Sequence, residues 1–369
     1  MTRIPLQIVA VPTLLAIAAP AVAQTLLPQC FYRSHTFYEL PMPAGHSDAV
    51  AMDITEAPMN LPKTIVGSAV DSQGRLHCVT WDWDTWNGAT VSSTLGFNDE
   101  CELFGVSGNG EAVGRYTSPG TGLSLVYDIF AGTQGTLGAL GSSDSVALDI
   151  NDHGVFVGAA TNPSRAYLYN NATGVTFDLG NLGGNSRVEA NAINSTDQVV
   201  GVSTDGNGDE HAFFMETWVL WGQFSMEDLG TLYGHGDSAA EAVNENGVVV
   251  GTSVSGWQQE ATRWERGWSW WSNFWIVSGL GAAPGHAVSA AHDVNLHGDA
   301  VGHSGSELTT ATLFPQGAAA VDLHDLVCVM PAGWRMENAR AINDTGDIVG
   351  WGRHNGDRKA FLLLRQEVL

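Results

Sequence analysis

Seven glycines punctuate this chain at near-regular intervals: Gly67, Gly114, Gly158, Gly201, Gly251, Gly302 and Gly350, spaced 43 to 51 residues apart. Each closes a short apolar run, and around each the same pattern recurs. Two plain copies are Ala192-Ile193-Asn194-Ser195-Thr196-Asp197-Gln198-Val199-Val200-Gly201 and Ala341-Ile342-Asn343-Asp344-Thr345-Gly346-Asp347-Ile348-Val349-Gly350. His211-Ala212-Phe213-Phe214 follows the first, and Lys359-Ala360-Phe361-Leu362 the second. A repeat of this period restricts a chain to stacked or closed arrays more firmly than any single motif.

Each copy holds four short runs rich in β-branched and aromatic residues and bounded by Gly, Asn or Asp, which read as strands. The first is of the Ala-Ile-Asn type and the second ends on the repeat glycine. The third resembles His-Ala-Phe, and the fourth resembles Phe177-Asp178-Leu179-Gly180. An Asn that opens a turn can bind its own backbone two residues on, and a Gly three residues later takes positive φ at no steric cost. Asn151 with Gly154, Asn244 with Gly247, Asn295 with Gly298 and Asn343 with Gly346 obey this, while Asn194 is followed by Asp197. These residues therefore read as turn formers, not ligands.

Four strands per unit is the proportion of a β-propeller blade. The phase of the repeat predicts closure. A lone fourth-strand equivalent stands at residues 36–40, and the chain finishes in a third strand at residues 359–364. Pairing the two hides both sheet edges. The expectation is all-β: a seven-bladed β-propeller of four-stranded blades over residues 36–369, closed by the N-terminal strand. Blade one departs from the pattern, because an insertion with Pro58 and Pro62 separates Ala51-Met52-Asp53 from Gly67.

With the Asp-Leu-Gly-Thr-Leu segment at residues 228–232, the Ala-Ile-Asn-x-x-Gly-x-x-Val-Gly and His-Ala-Phe runs resemble the HAF-repeat family of bacterial extracellular proteins. The resemblance covers roughly residues 36–364. It carries no catalytic residues to transfer.

Residues 1–23 read as a signal peptide, with Arg3 at the start, an apolar run from Ile8 to Ala19, and Ala21-Val22-Ala23 before Gln24. Residues 24–35 form an N-terminal segment. The apolar run is too short to span a bilayer and nothing later resembles a spanning segment. The expected location is extracellular or periplasmic. A formal net charge of -24 disfavours nucleic acid, anionic membranes and polyanionic substrates. Four cysteines in an exported chain favour disulfides. The expected pairs are Cys30 with Cys328, at the point where the ring closes, and Cys78 with Cys101, in adjacent blades.

Motifs for catalysis are sparse. Gly45-His46-Ser47-Asp48-Ala49 approaches a nucleophile elbow, but relatives of it recur in the same connector of other blades, which makes it structural. His292, His297 and His303 straddle one hairpin without the carboxylates of a metal site. Asp205, Asn207 and Asp209 alternate in a polar loop, the spacing of a hard-cation site, so Ca²⁺ is the candidate cofactor. The loop lacks the full ligand set.

Tryptophan is the remaining anomaly, with 13 in the chain. Trp81 and Trp264 close third strands and read as core. Trp268, Trp270, Trp271 and Trp275 crowd the third-to-fourth-strand hairpin of blade five, Trp218 and Trp221 the matching hairpin of blade four, and Trp83 and Trp86 that of blade one. Alternation along a continuous strand sends Trp268 and Trp270 to one face and Trp271 and Trp275 to the other. Trp218, Trp221, Trp268, Trp270, Trp271 and Trp275 are thus the candidate ligand-binding residues, suited to the apolar faces of a neutral glycan or to another extracellular protein. The leading expectation is a non-enzymatic binding or scaffolding module. The alternative is a carbohydrate-active hydrolase or lyase at the central channel. Carboxylates, or His, Tyr and Arg, converging on the inner strands would mark the enzyme, whereas those strands read as Ala, Ile, Val and Asn.

Overall fold

The computed structural model describes residues 34–56, 62–84, 88–94, 100–118, 121–129, 131–217, 225–268 and 273–366. They form seven four-stranded antiparallel sheets, each following chain order from its inner to its outer strand except the last. The inner strands are His46–Ile54, Glu100–Val106, Ser145–Ile150, Gly183–Ile193, Asp237–Val243, Ser289–Val294 and Trp334–Ile342, for blades one to seven.

The seventh sheet takes its outer strand, His35–Glu39, from the other end of the chain. Thr36 pairs with Leu364 and Tyr38 with Leu362, and the Leu40 amide donates to the Ala360 carbonyl at 3.0 Å. This is the closure that the repeat phase predicts. Main-chain bonds join the first described strand to the last, so the ring presents no open edge at its seam.

The core lies between blades. Seven apolar clusters alternate with the seven sheets, one at each blade boundary, including the boundary of blades seven and one where Leu40, Trp81 and Leu362 meet. An aromatic of the third strand fills these spaces: Trp81 and Trp264 are wholly buried, with their indole N–H groups on the carbonyls of Pro41 and Gly230. Their strands run on to Asp84 and Trp268 and do not close at these residues as expected. Trp83 is also core, packed at 4.4 Å from the Tyr38 ring, so it does not belong with the outer-hairpin tryptophans. Trp86 lies outside the described residues.

The Asn of blades three to seven does more than shape its turn. The Asn151, Asn194, Asn244, Asn295 and Asn343 side-chain oxygens accept amides two or four residues on, as the turn reading requires. Their Nδ2 groups then reach across to the next blade. Asn151 donates to the Asn194 carbonyl, Asn194 to that of Asn244, Asn244 to that of Asn295, Asn295 to that of Asn343, and Asn343 to that of Thr55 in blade one. One buried side chain thus satisfies its own turn and stitches two blades, which is how buried amides meet their bonding requirement here. The αL position of the turn is glycine in blades three, five, six and seven, and Asp197, at φ 60°, in blade four.

Cys78 and Cys101 are joined, linking blade one to blade two as predicted. Cys328 is also disulfide-bonded. Cys30 lies outside the described residues.

Candidate functional site

Two places gather side chains capable of recognition: the central channel and the outer hairpin of blade five. The channel is built by a defect repeated in every blade. In each inner strand the register with the second strand slips by one residue, the signature of a β-bulge. The extra residues are Met52, Phe104, Leu148, Asn191, Glu241, His292 and Arg340. Opposite each bulge stands a glycine of the repeat. A Cβ at Gly67, Gly114, Gly158, Gly201, Gly251, Gly302 or Gly350 would collide with a carbonyl oxygen of the bulged strand. The spacing that organises the sequence therefore marks close backbone contact.

All seven extra residues line one cavity of about 160 Å³ in the channel. A second, of about 190 Å³, opens among the inner turns and is lined by Glu56, Asp152, Glu245 and Asp344. Asp53, Asp149 and Asp293, each one residue beyond its bulge, line both cavities and so form the waist between them. The sequence reading of the inner strands as Ala, Ile, Val and Asn is corrected here. Three aspartates, Glu241, His292 and Arg340 line the channel, because the bulge inserts one residue into each inner strand and turns that position toward the axis.

The three aspartates hold the ring together. Each accepts the amide of the following residue in its own strand and one from the next blade: Asp53 from Ile54 and Val106, Asp149 from Ile150 and Ile193, Asp293 from Val294 and Ile342. Burial pushes the Asp149 carboxyl up to about 7 and that of Asp293 to about 6, and holds Asp53 well above the ordinary range, with neighbouring carboxylates adding to the effect. The amides oppose this by favouring the ionised form. At the turn-side mouth the pattern repeats with longer reach. Asp152, Glu245, Asp344 and Glu56 accept the backbone amides of Gly108, Ser195, Leu296 and Asp344 from preceding blades.

On the outside, blade five carries a hairpin that overshoots its second strand. Val249 begins that strand opposite Trp264, while Gln258–Trp268 and Asn273–Gly281 continue together to the Trp268–Asn273 pair. Arg266 pairs with Trp275, and its guanidinium lies 4.8 Å from both the Trp275 and Phe214 rings. Trp275 also donates to Glu227 of blade four at 3.2 Å. Trp275 is thus a packing residue between two blades. Trp268 stands two residues from Arg266 and shares its face, at 71 % exposure. The predicted split of Trp268 and Trp275 onto opposite faces does not occur, because a turn lies between them and antiparallel pairing resets the alternation. Phe274 and Ile276, on the other face, are 47 % and 48 % exposed. Trp257, in the tight turn at the other end of the same third strand, is fully exposed. Trp218, Trp221, Trp270 and Trp271 lie outside the described residues.

The Asp205 loop is closed on itself. One Asp205 oxygen accepts the amides of Asn207, Gly208 and Asp209, and the other accepts the Asn207 side-chain amide. These bonds hold its carboxyl below the usual range against desolvation. Among the described residues no group of three His, Cys, Asp or Glu converges in metal-binding geometry. His292 and His303 face each other at 3.1 Å. His297 instead occupies the turn, its amide bonded to Asn295.

No family model matches the chain, and no curated protein matches it. Solved structures do. YCF48 bound to D1 peptide is 12% identical with TM-score 0.54, covering 95% of this chain and 100% of that one. A novel fungal alcohol oxidase of the AA5 family, in complex with copper, is 13% identical with TM-score 0.54, covering 90% and 76%. The Pyrococcus horikoshii acylaminoacyl peptidase is 8% identical with TM-score 0.51, and the chain covers 88% of itself but only 53% of that protein. Identities this low speak to the fold alone. A peptide complex, a copper oxidase and a peptidase on one architecture show why the fold does not choose a function. Among the described residues no helix is long and apolar enough to cross a membrane.

Proposed function

We propose that this protein is an exported, non-enzymatic binding module of the HAF-repeat kind, which presents the projecting hairpin of blade five to a neutral glycan. The observation that carries the reading is the exposure of Trp268 on one face, and of Phe274 and Ile276 on the other, of a hairpin that extends past the rest of its sheet. Large apolar side chains left exposed together on one projecting element mark interaction surfaces more often than singly scattered ones do. An indole face suits the C–H face of a sugar ring, and a net charge of -24 opposes a polyanionic ligand. The Cys78–Cys101 bridge is consistent with an oxidising compartment.

The convergence of Asp53, Asp149 and Asp293 favours the second reading, a carbohydrate-active hydrolase or lyase at the channel. Yet each of those carboxylates already accepts two backbone amides that join neighbouring blades. Groups so bound serve the ring, which leaves the binding reading in front.

A glycan array probed with purified protein tests it. Retention on neutral glycans, lost in Trp268→Ala at unchanged melting temperature, is the expected result. Trp264→Ala, by contrast, should cost about 3–5 kcal/mol of stability as a core truncation. An array without retention overturns the glycan reading and turns the search to protein partners.

A further inference from the structure

The channel cavity is lined by polar groups that the ring's own hydrogen bonds do not use. Arg340 of blade seven makes no hydrogen bond or ion pair with any described residue, and its Nε is buried without a partner. Arg340 lines the cavity that Glu241, His292, Asn191, Met52, Phe104 and Leu148 also line. Glu241 of blade five is likewise without a bonded partner. The two feel each other's charge across the cavity but do not touch. His292 Nδ1, between them in blade six, is buried and unpartnered too.

Elsewhere in this protein charged side chains near the ring are consumed. Asp53, Asp149 and Asp293 bind backbone, and Arg187 pairs with Glu189 and Glu210 at 2.8 Å. An unpaired guanidinium and an unpaired carboxyl lining one cavity leave hydrogen-bonding capacity that a ligand with complementary charges can complete. The bulges of blades one to three supply an apolar wall of Met52, Phe104 and Leu148. Those of blades four to seven supply the polar one.

From this division we infer that the channel binds a small zwitterion, an apolar α-amino acid. Its carboxylate meets the Arg340 fork, its ammonium meets Glu241, and its side chain lies on Met52, Phe104 and Leu148. A free carboxylate alone would face the acidic waist, and an amine alone would leave Arg340 unpaired, so a ligand with both charges a few bonds apart is the complementary one. Burial holds the Glu241 carboxyl above its ordinary range, and a docked ammonium restores its charged form. The site is separate from the blade-five hairpin and stands whether or not that surface binds glycan.

The test is calorimetric titration of the full chain with L-methionine and L-leucine, beside N-acetyl-L-methionine, L-methioninamide and D-glucose. The free amino acids should bind, and each blocked form should bind about tenfold or more weakly, as expected for loss of a charge-assisted contact. Arg340→Gln and Glu241→Gln should weaken the free amino acid by a similar factor. Equal binding of blocked and free forms, preferential binding of glucose, or no heat and no thermal shift with either amino acid at millimolar concentration overturns the inference. The ligand comparison uses the unmodified protein, so it decides the matter even if a variant fails to fold.

Discussion

Lys63 Nζ lies 3.3 Å from Asp347 Oδ2, with both side chains almost wholly buried, at 2% and 3% exposure. The pair spans the boundary of blades one and seven, the seam that the terminal strand also closes. Asp347 further accepts the Arg365 amide and the Thr345 hydroxyl, so its charge is fully coordinated.

Removing one partner of such a pair strands the other charge in the core. Lys63→Met is expected to destabilise the protein by about 3–5 kcal/mol, and Lys63→Met combined with Asp347→Asn by clearly less. Urea unfolding measures both. Equal losses in the single and double variants would show that packing of the lysine stem, not its charge, matters at the seam.

The repeat glycines make a sharper prediction about backbone. At Gly251 a methyl group would strike the Ala239 carbonyl across the bulge, where neither strand has room to withdraw. Gly251→Ala should cost about 2 kcal/mol or more. Gly206, with open space around it, serves as the control, and Gly206→Ala should fall within about 0.5 kcal/mol of the parent. Similar midpoints for the two variants in denaturant would refute the close-contact role.

Stability should fall as pH rises from about 6.5 to about 8. Asp149 at about 7, Asp293 at about 6 and Glu56 at about 8 all stand above their unfolded values, chiefly through burial. Between the unfolded and folded values the native state binds more protons than the unfolded chain. Added base therefore favours unfolding. Around the waist Asp53 and Asp344 add to the trend and the Arg340 cation opposes it, while below about 6.5 His35, His292 and His303, held below their ordinary value by burial, oppose it as well. A melting temperature that declines across this range, with a shallower decline in Asp149→Asn, is expected. A flat or rising profile contradicts it.

Calcium should have no effect on melting. The Asp205 carboxylate already serves four donors of its own loop. A ligand that binds only the native state raises stability by mass action. An upward shift with calcium that chelator reverses would restore the cation site.

Much of this architecture is legible in one dimension. Blade number follows from the glycine spacing, and closure follows from the phase offset between residues 36–40 and 359–364, because both are properties of order along the chain. The Asn turns and the Cys78–Cys101 pair are likewise local or between neighbouring repeats. The channel was not legible. Whether Met52, Phe104, Leu148, Asn191, Glu241, His292 and Arg340 face the axis depends on a one-residue slip of strand register. Such a slip leaves no mark on hydrophobic periodicity and is decided when two backbones meet across a glycine. The fate of the tryptophans was hidden for a related reason. Trp268 and Trp275 are separated by a turn, and antiparallel pairing, not strand parity, decides which share a face. Lys63 and Asp347 lie at opposite ends of the sequence, and only closure of the ring makes them neighbours. Repetition determined the fold; register and closure, which are relations between strands, decided which side chains became sites.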